Sequence, residues 1–241
     1  MRRRQPARRR VPAQIQVTEL PASFEGMNTT RSLAAMGPAE CIYAFNIEPR
    51  DTGMTVRAGY AEWANGWTGG IARTIIPFEG NAGADDKLFV ANATGIWDVT
   101  AEGTTSPTQV VMWASAAGNA GICSFENYSN DGDERYLLVC DEENGYYHWK
   151  QSTDTWTKLT AGAGAGQING VDPALFTFVA IWKKRLWFIE GGTGRAWYLG
   201  PNAIEGTAAE FNFASSFGAG GQLSIILNWT LDGGVGLDDY L

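Results

Sequence analysis

Three stretches of this chain open on a basic residue and run on into apolar side chains: 87–91 from Lys87, 135–140 from Arg135 and 185–190 from Arg185. The openers lie 48 and 50 residues apart. Each stretch is the second of four short strand-like runs. The first set is 73–78, 87–91, 95–100 and 108–113, the second 121–125, 135–140, 145–150 and 155–159, and the third 176–182, 185–190, 195–199 and 210–213. Clusters of Gly, Asn, Asp and Pro separate the runs, and Trp97, Trp149 and Trp197 mark the third run of each set. Four strands recurring at about 50 residues is the period of β-propeller blades of the kelch type.

The sequence therefore predicts an all-β fold of propeller-like blades. A fourth set is expected to begin with a strand over 223–229, and its second strand would only be forming at Leu241. Three blades and a fragment do not close a ring, because open blade edges pair with other strands. The propeller is expected to be incomplete as a ring in this chain, with more polypeptide or a partner subunit supplying the missing edge.

Composition agrees with turns and aromatic strands: 241 residues include 30 Gly, 10 Trp and one His. The longest apolar run, 174–182, is interrupted by Thr177 and is far short of the roughly 20 residues that span a bilayer. No membrane segment is expected. The basic N-terminus is not followed by the apolar stretch of a signal peptide. Cys41, Cys123 and Cys140 lie in or beside expected strands and read as reduced core thiols of a protein made in the cytosol.

Charge is unevenly placed. Arg2, Arg3, Arg4, Arg8, Arg9 and Arg10 are six of the eighteen basic residues, so residues 11–241 hold twelve basic against twenty-six acidic groups, a net of −14. Such a body repels a polyanion. The arm MRRRQPARRRVPAQ has no apolar face and contains two prolines, so alone it is expected to be disordered. Its six arginines are the candidate assembly contacts, suited to carboxylates on a neighbouring chain or to phosphates.

Enzymatic motifs are weak. His148, the single histidine, lies between Tyr147 and Trp149 and is expected as a packed ring, not a catalytic base. There is no G-x-S-x-G elbow, Walker loop, HExxH or zinc-ligand spacing. Residues 152–156 faintly resemble the Asp-box of sialidase-type propellers without its central Gly, and are expected as a turn in which Ser and Asp side chains bond nearby amides. The acidic runs 130–134, 232–239 and 141–144 are expected as solvated turns, not calcium sites. The Gly-Ala run 161–166 and residues 218–221 read as flexible linkers. Most tryptophans read as core. Trp63 and Trp67, in a Gly-rich segment, are open to a sugar-stacking reading. No catalytic, cofactor or metal residue is assigned.

Residues 24–60 read FEGMNTTRSLAAMGPAECIYAFNIEPRDTGMTVRAGY. Locally they predict one helical turn over 32–36 stopped by Pro38, then a hairpin of 41–47 with 54–60 turning at Pro49, Asp51 and Gly53. Gly26-Met27-Asn28, Leu33-Ala34-Ala35-Met36, then Ala44, Asn46, Pro49 and Gly53 before Val56-Arg57-x-Gly59-Tyr60 resemble the N-terminal region of the tail nozzle proteins of short-tailed bacteriophages, also called tail tubular or head-to-tail hub proteins. The resemblance implies a non-enzymatic virion protein, assembled in the host cytoplasm, of which six copies form a ring below the portal and its adaptor. That ring continues the DNA channel, helps retain packaged DNA and lets it pass at ejection without sequence-specific binding. Tail fibre or needle proteins are possible neighbours. The expected organisation is an arm (1–23), the signature hairpin region (24–70) and the propeller-like body (71–241). The alternative is a carbohydrate-binding or glycosidase-like propeller acting as a host-surface adhesin, which requires exposed Trp and carboxylates in one pocket.

Overall fold

Alternating apolar side chains and frequent turn formers produce short strands with tight connections, and no α-helix occurs among the described residues. The computed structural model describes residues 25–50, 53–218, 220–232 and 237–240. The chain divides into two units, Met1–Ala61 and Glu62–Leu241. No helix among the described residues is long and apolar enough to cross a membrane.

In the first unit β1 (Gly26–Met27) pairs in parallel with β2 (Glu40–Cys41), and β3 (Ile47–Arg50) pairs antiparallel with β4 (Gly53–Val56). A 3-10 turn at Leu33–Ala35 occupies the expected helical turn. The signature residues form a local network. Asn28 Nδ2 donates to Glu40 at 2.8 Å, the Gly37 amide donates to the other Glu40 oxygen at 2.8 Å, and Asn28 Oδ1 accepts from the Thr30 amide. These bonds hold the Glu40 carboxyl below the usual carboxylate range.

The hairpin differs from expectation in three respects, the first being that β4 ends at Val56 and does not run on to residue 60. Residues 41–47 are not one strand, because Asn46 adopts a left-handed conformation (φ 58°) that no strand continues through. Pro49 lies inside β3 opposite Met54, not in the turn. Arg50 and Gly53 close the hairpin, so the next pair is a non-hydrogen-bonded one, where the missing proline N–H costs nothing.

The second unit is built from three four-stranded antiparallel sheets, each with strands in chain order. The first comprises β5 (Thr74–Phe78), β6 (Lys87–Asn92), β7 (Gly95–Asp98) and β8 (Thr108–Met112). The second comprises β9 (Cys123–Ser129), β10 (Arg135–Asp141), β11 (Gly145–Lys150) and β12 (Thr155–Lys158). Between the second and third lie β13 (Thr160–Ala161) and β14 (Gln167–Asn169). The third sheet comprises β15 (Phe176–Trp182), β16 (Arg185–Glu190) and β17 (Arg195–Tyr198), then, past β18 (Gly206–Thr207), β19 (Ala209–Asn212). Each of the twelve runs read from the sequence overlaps one of these strands, with ends displaced by up to four residues, because alternation and turn residues are local signals.

Strands β13, β14 and β18 pair in parallel. They organise the Gly-Ala run that reads as a free linker: the Gly162 amide bonds the Ile168 carbonyl, Gly164 N donates to Gln167 Oε1, and Gly166 N donates to Glu205 Oε2 at 2.7 Å. The strand expected over 223–229 is also displaced. Residues 221–228 have no regular structure, and the next strands are β20 (Trp229–Asp232) and β21 (Leu237–Tyr240), paired antiparallel. Leu223 and Ile226 are three apart and both meet the third sheet, a spacing that alternation does not produce.

The second sheet is apolar on both faces. Leu137, Val139, Tyr147 and Trp149 pack against Ile76, Phe78, Phe89 and Ile96 of the first sheet. Leu138, Cys140 and Tyr146 pack against Val179, Leu186, Phe188 and Trp197 of the third. Burying a side chain of this size contributes about 1.5–3 kcal/mol, so these two contacts dominate the stability of the unit.

Candidate assembly faces and buried polar clamps

Asn92, Asp141 and Glu190 end the second strand of the three sheets at intervals of 49 residues, and all three are buried. A buried polar group must be hydrogen-bonded, and each of these closes the hairpin it begins. Asn92 Oδ1 accepts from the Thr94 and Gly95 amides (2.9 and 3.2 Å) and from Trp97 Nε1 (3.2 Å), while its Nδ2 donates to the Thr68 carbonyl at 2.7 Å. Glu190 accepts from Trp197 Nε1 at 2.8 Å with one oxygen and from Arg195 with the other.

Asp141 is bonded as heavily as Asn92. Its Oδ1 accepts from the Asn144 amide (2.9 Å) and side chain (2.7 Å) and from the Glu143 amide (3.2 Å), and its Oδ2 accepts from the Gly121 amide at 2.6 Å. The 141–144 run is therefore not the solvated tip that its composition implies, since Asp141 and Asn144 are buried. It docks on Gly121 in the connection from the first sheet. Gly121 has φ 87°, and a Cβ there would lie 2.4 Å from the Asn92 carbonyl oxygen, so only glycine admits this approach. Burial, aided by the Asp141 charge, pushes the Cys123 thiol well up, and burial does the same for Cys140. All three cysteines are free.

The other singled-out residues take structural places. His148 is buried with its ring edge-on to Tyr136 at 5.7 Å, and its Nδ1 has no hydrogen-bond partner among the described residues. Burial, reinforced by Lys150, lowers its pKa to about 4. The unfolded chain protonates His148 near pH 6.5 and the folded chain only near 4. Its contribution is thus present above pH 6.5 and lost as pH falls toward 4. Wild-type protein is expected to lose about 3 kcal/mol more than His148→Phe between pH 7 and pH 4. Urea unfolding of the two proteins across that range checks this, and parallel curves would contradict it.

Asp154 has φ 49° and accepts from Trp149 Nε1 at 3.0 Å, while Ser152 Oγ donates to Glu134 Oε2 at 2.8 Å, so side chains replace the expected amide contacts of that turn. In the 130–134 run, Asn130 Oδ1 accepts from the Gly132 and Glu134 amides, and Asp131 pairs with Lys184 at 2.9 Å. No group of three His, Cys, Asp or Glu able to hold a metal occurs among the described residues. The 232–239 run extends beyond the described residues.

The two end faces of the stack are also apolar. On the outer face of the first sheet, Val90, Trp97 and Val99 are covered in part by Ala64 and Trp67. A cavity of about 170 Å³ remains there, lined by Trp63, Ala64, Trp67, Ala72, Ile75, Leu88, Val90 and Val99 without one polar side chain other than the indoles. Both indole N–H groups are already spent, on the carbonyls of Val99 and Gly70. On the outer face of the third sheet, Trp187 stacks on Tyr198 at 4.7 Å and meets Trp182 edge-on at 5.9 Å, with Leu223 and Ile226 laid beside them. The indole N–H groups of Trp182 and Trp187 have no acceptor among the described residues.

A separate polar cleft of about 310 Å³ gathers Asn81, Asp85, Asp133, Glu134, Arg135, Gln151 and Ser152 with no aromatic ring. The tryptophans of the apolar cavity and the carboxylates of this cleft therefore lie in different places. Arg2, Arg3, Arg4, Arg8, Arg9 and Arg10 lie outside the described residues. No family model, curated protein or solved structure matches the chain.

Proposed function

We propose that this chain is a structural protein of a short-tailed phage tail, a nozzle or hub subunit whose ring lies below the portal and adaptor and carries DNA at ejection. The three like sheets are read as propeller-like blades. The signature of residues 24–60 supports the family, and the carrying observation for a structural role is that large apolar side chains stay exposed at both ends of the stack, Trp63 and Ile75 on the first sheet and Phe211 on the third. Surfaces of this kind are covered in an assembled state. A body of net −14 supports a channel wall that lets DNA slide without holding it. The adhesin reading is weaker, because the tryptophan-lined cavity holds no carboxylate and the polar cleft no aromatic ring.

In this reading the arginine arm is an assembly tether to carboxylates or carbonyls of a neighbouring copy or the adaptor. Replacing Arg2, Arg3, Arg4, Arg8, Arg9 and Arg10 with Ser is expected to reduce assembly and leave the circular dichroism of the body unchanged. The body lacking residues 1–10 is expected to bind DNA negligibly even at low salt, where phosphate contacts are strongest. Normal assembly of the six-fold variant, or tight salt-sensitive DNA binding by the truncated body, would count against the function.

A further inference from the structure

Residues 62–70 bridge the outer face of the first sheet, and the bridge is pinned at two points. On one side the Asn65 amide donates to the Thr104 carbonyl at 2.9 Å and the Gly103 amide to the Trp63 carbonyl at 2.7 Å, both in the connection from β7 to β8. On the other, Asn92 Nδ2 at the end of β6 donates to the Thr68 carbonyl at 2.7 Å. Gly66 and Gly69 have φ of 88° and 93°, and a Cβ on either would overlap Thr105 or Thr94, so only glycine lets the bridge lie this close to its supports. The apolar cavity of about 170 Å³ lies between Trp63 and Trp67 of the bridge and Leu88, Val90 and Val99 of the sheet. Backbone bonds hold the bridge in place at both ends, so the indoles do not close down on the sheet and the cavity is preformed. Its wall side chains offer no free hydrogen-bonding group. Trp63 Nε1 is spent on the Val99 carbonyl at 2.8 Å and Trp67 Nε1 on the Gly70 carbonyl at 2.9 Å, and the remaining side chains are aliphatic.

We propose that this cavity binds one small uncharged aromatic molecule of about the size of toluene, and not a sugar. An apolar cavity of about 150 Å³ takes benzene. Indole walls favour a ring over an alkyl chain, because aromatic pairs gain from offset and edge-on contact. A sugar on Trp63 or Trp67 brings hydroxyls out of water, and no wall side chain replaces the bonds they lose. Ile75 and Trp63, 62% and 46% exposed, form the mouth, so the ligand enters without opening the sheet. The binding site goes beyond the tail assembly and does not rest on it.

Isothermal titration calorimetry of toluene into the full-length chain is the test. One toluene per chain is expected, with the negative heat-capacity change of apolar burial. Toluene at about ten times its Kd is expected to raise the thermal midpoint by about 3–6 °C. Glucose is expected to give neither signal. Ala72→Phe sets a phenyl ring into the wall from an exposed position, and is expected to weaken toluene binding about tenfold or more while the free protein keeps its thermal midpoint. Should that variant fail to fold, Ile75→Asp, which puts a charge at the mouth, is expected to weaken binding as much. Absence of toluene binding to wild type, glucose binding that toluene displaces, or an affinity unchanged in the variant that folds overturns the site. Sedimentation of the same samples reports the assembly separately, so failure of one reading is distinguished from failure of the other.

Discussion

Trp149→Ala is expected to destabilise the chain by about 3–5 kcal/mol, a large part of the 5–15 kcal/mol that holds a typical domain folded. Trp149 is almost fully buried between the first and second sheets. Its ring meets Phe78 at 4.7 Å and Phe89 at 5.8 Å, both edge-on, and its Nε1 donates to Asp154 at 3.0 Å. Alanine removes the indole from a site that two sheets and the Asp154 turn hold open, so the cavity cannot collapse without separating the sheets. Trp149→Phe keeps most of the edge contacts and loses the indole bond, and is expected to cost roughly half as much. Urea unfolding followed by circular dichroism measures both. A loss below about 1 kcal/mol for the alanine variant would mean that the first two sheets do not pack through this residue.

Asp141→Ala is expected to cost about 3 kcal/mol or more, although composition places this residue in a polar tip. The substitution strips the acceptor from the amides of Gly121, Glu143 and Asn144 in a buried site. Asn144, itself buried, also loses one of its partners and keeps the Ser115 carbonyl and amide. Asp141→Asn retains one acceptor oxygen and sets an NH₂ against a donor, so it is expected to fall between wild type and alanine. The control is Asp131→Ala, which breaks an exposed pair with Lys184 and is expected to change stability by less than about 1 kcal/mol. Equal effects at Asp131 and Asp141 would contradict the clamp.

The strand sets were legible because their causes are local: apolar alternation sets the strands, and Gly, Asn and Asp at their ends set the turns. The polar clamps were hidden by the same local logic. Asp141-Glu142-Glu143-Asn144 has the composition of a solvated turn, and only Gly121, twenty residues earlier, makes it a buried one. A visible signal existed nonetheless, since Asn92, Asp141 and Glu190 recur at 49 residues, a stricter period than that of the basic openers. Pro49 was misplaced because its tolerance depends on which hairpin pairs are hydrogen-bonded, a matter of register. The strand expected over 223–229 failed for a tertiary reason: Leu223 and Ile226 are held against the third sheet and not paired in a ladder. The end faces could not be read at all from sequence, because an apolar strand position does not say whether a neighbouring sheet is present. The arginine arm rests on charge alone and lies outside the described residues.

Electron microscopy of the purified full-length chain tests the central claim most directly. The account predicts closed rings with a central channel, built from identical subunits. Uniform monomers of wild-type protein, at concentrations where ultracentrifugation also finds no association, would contradict it.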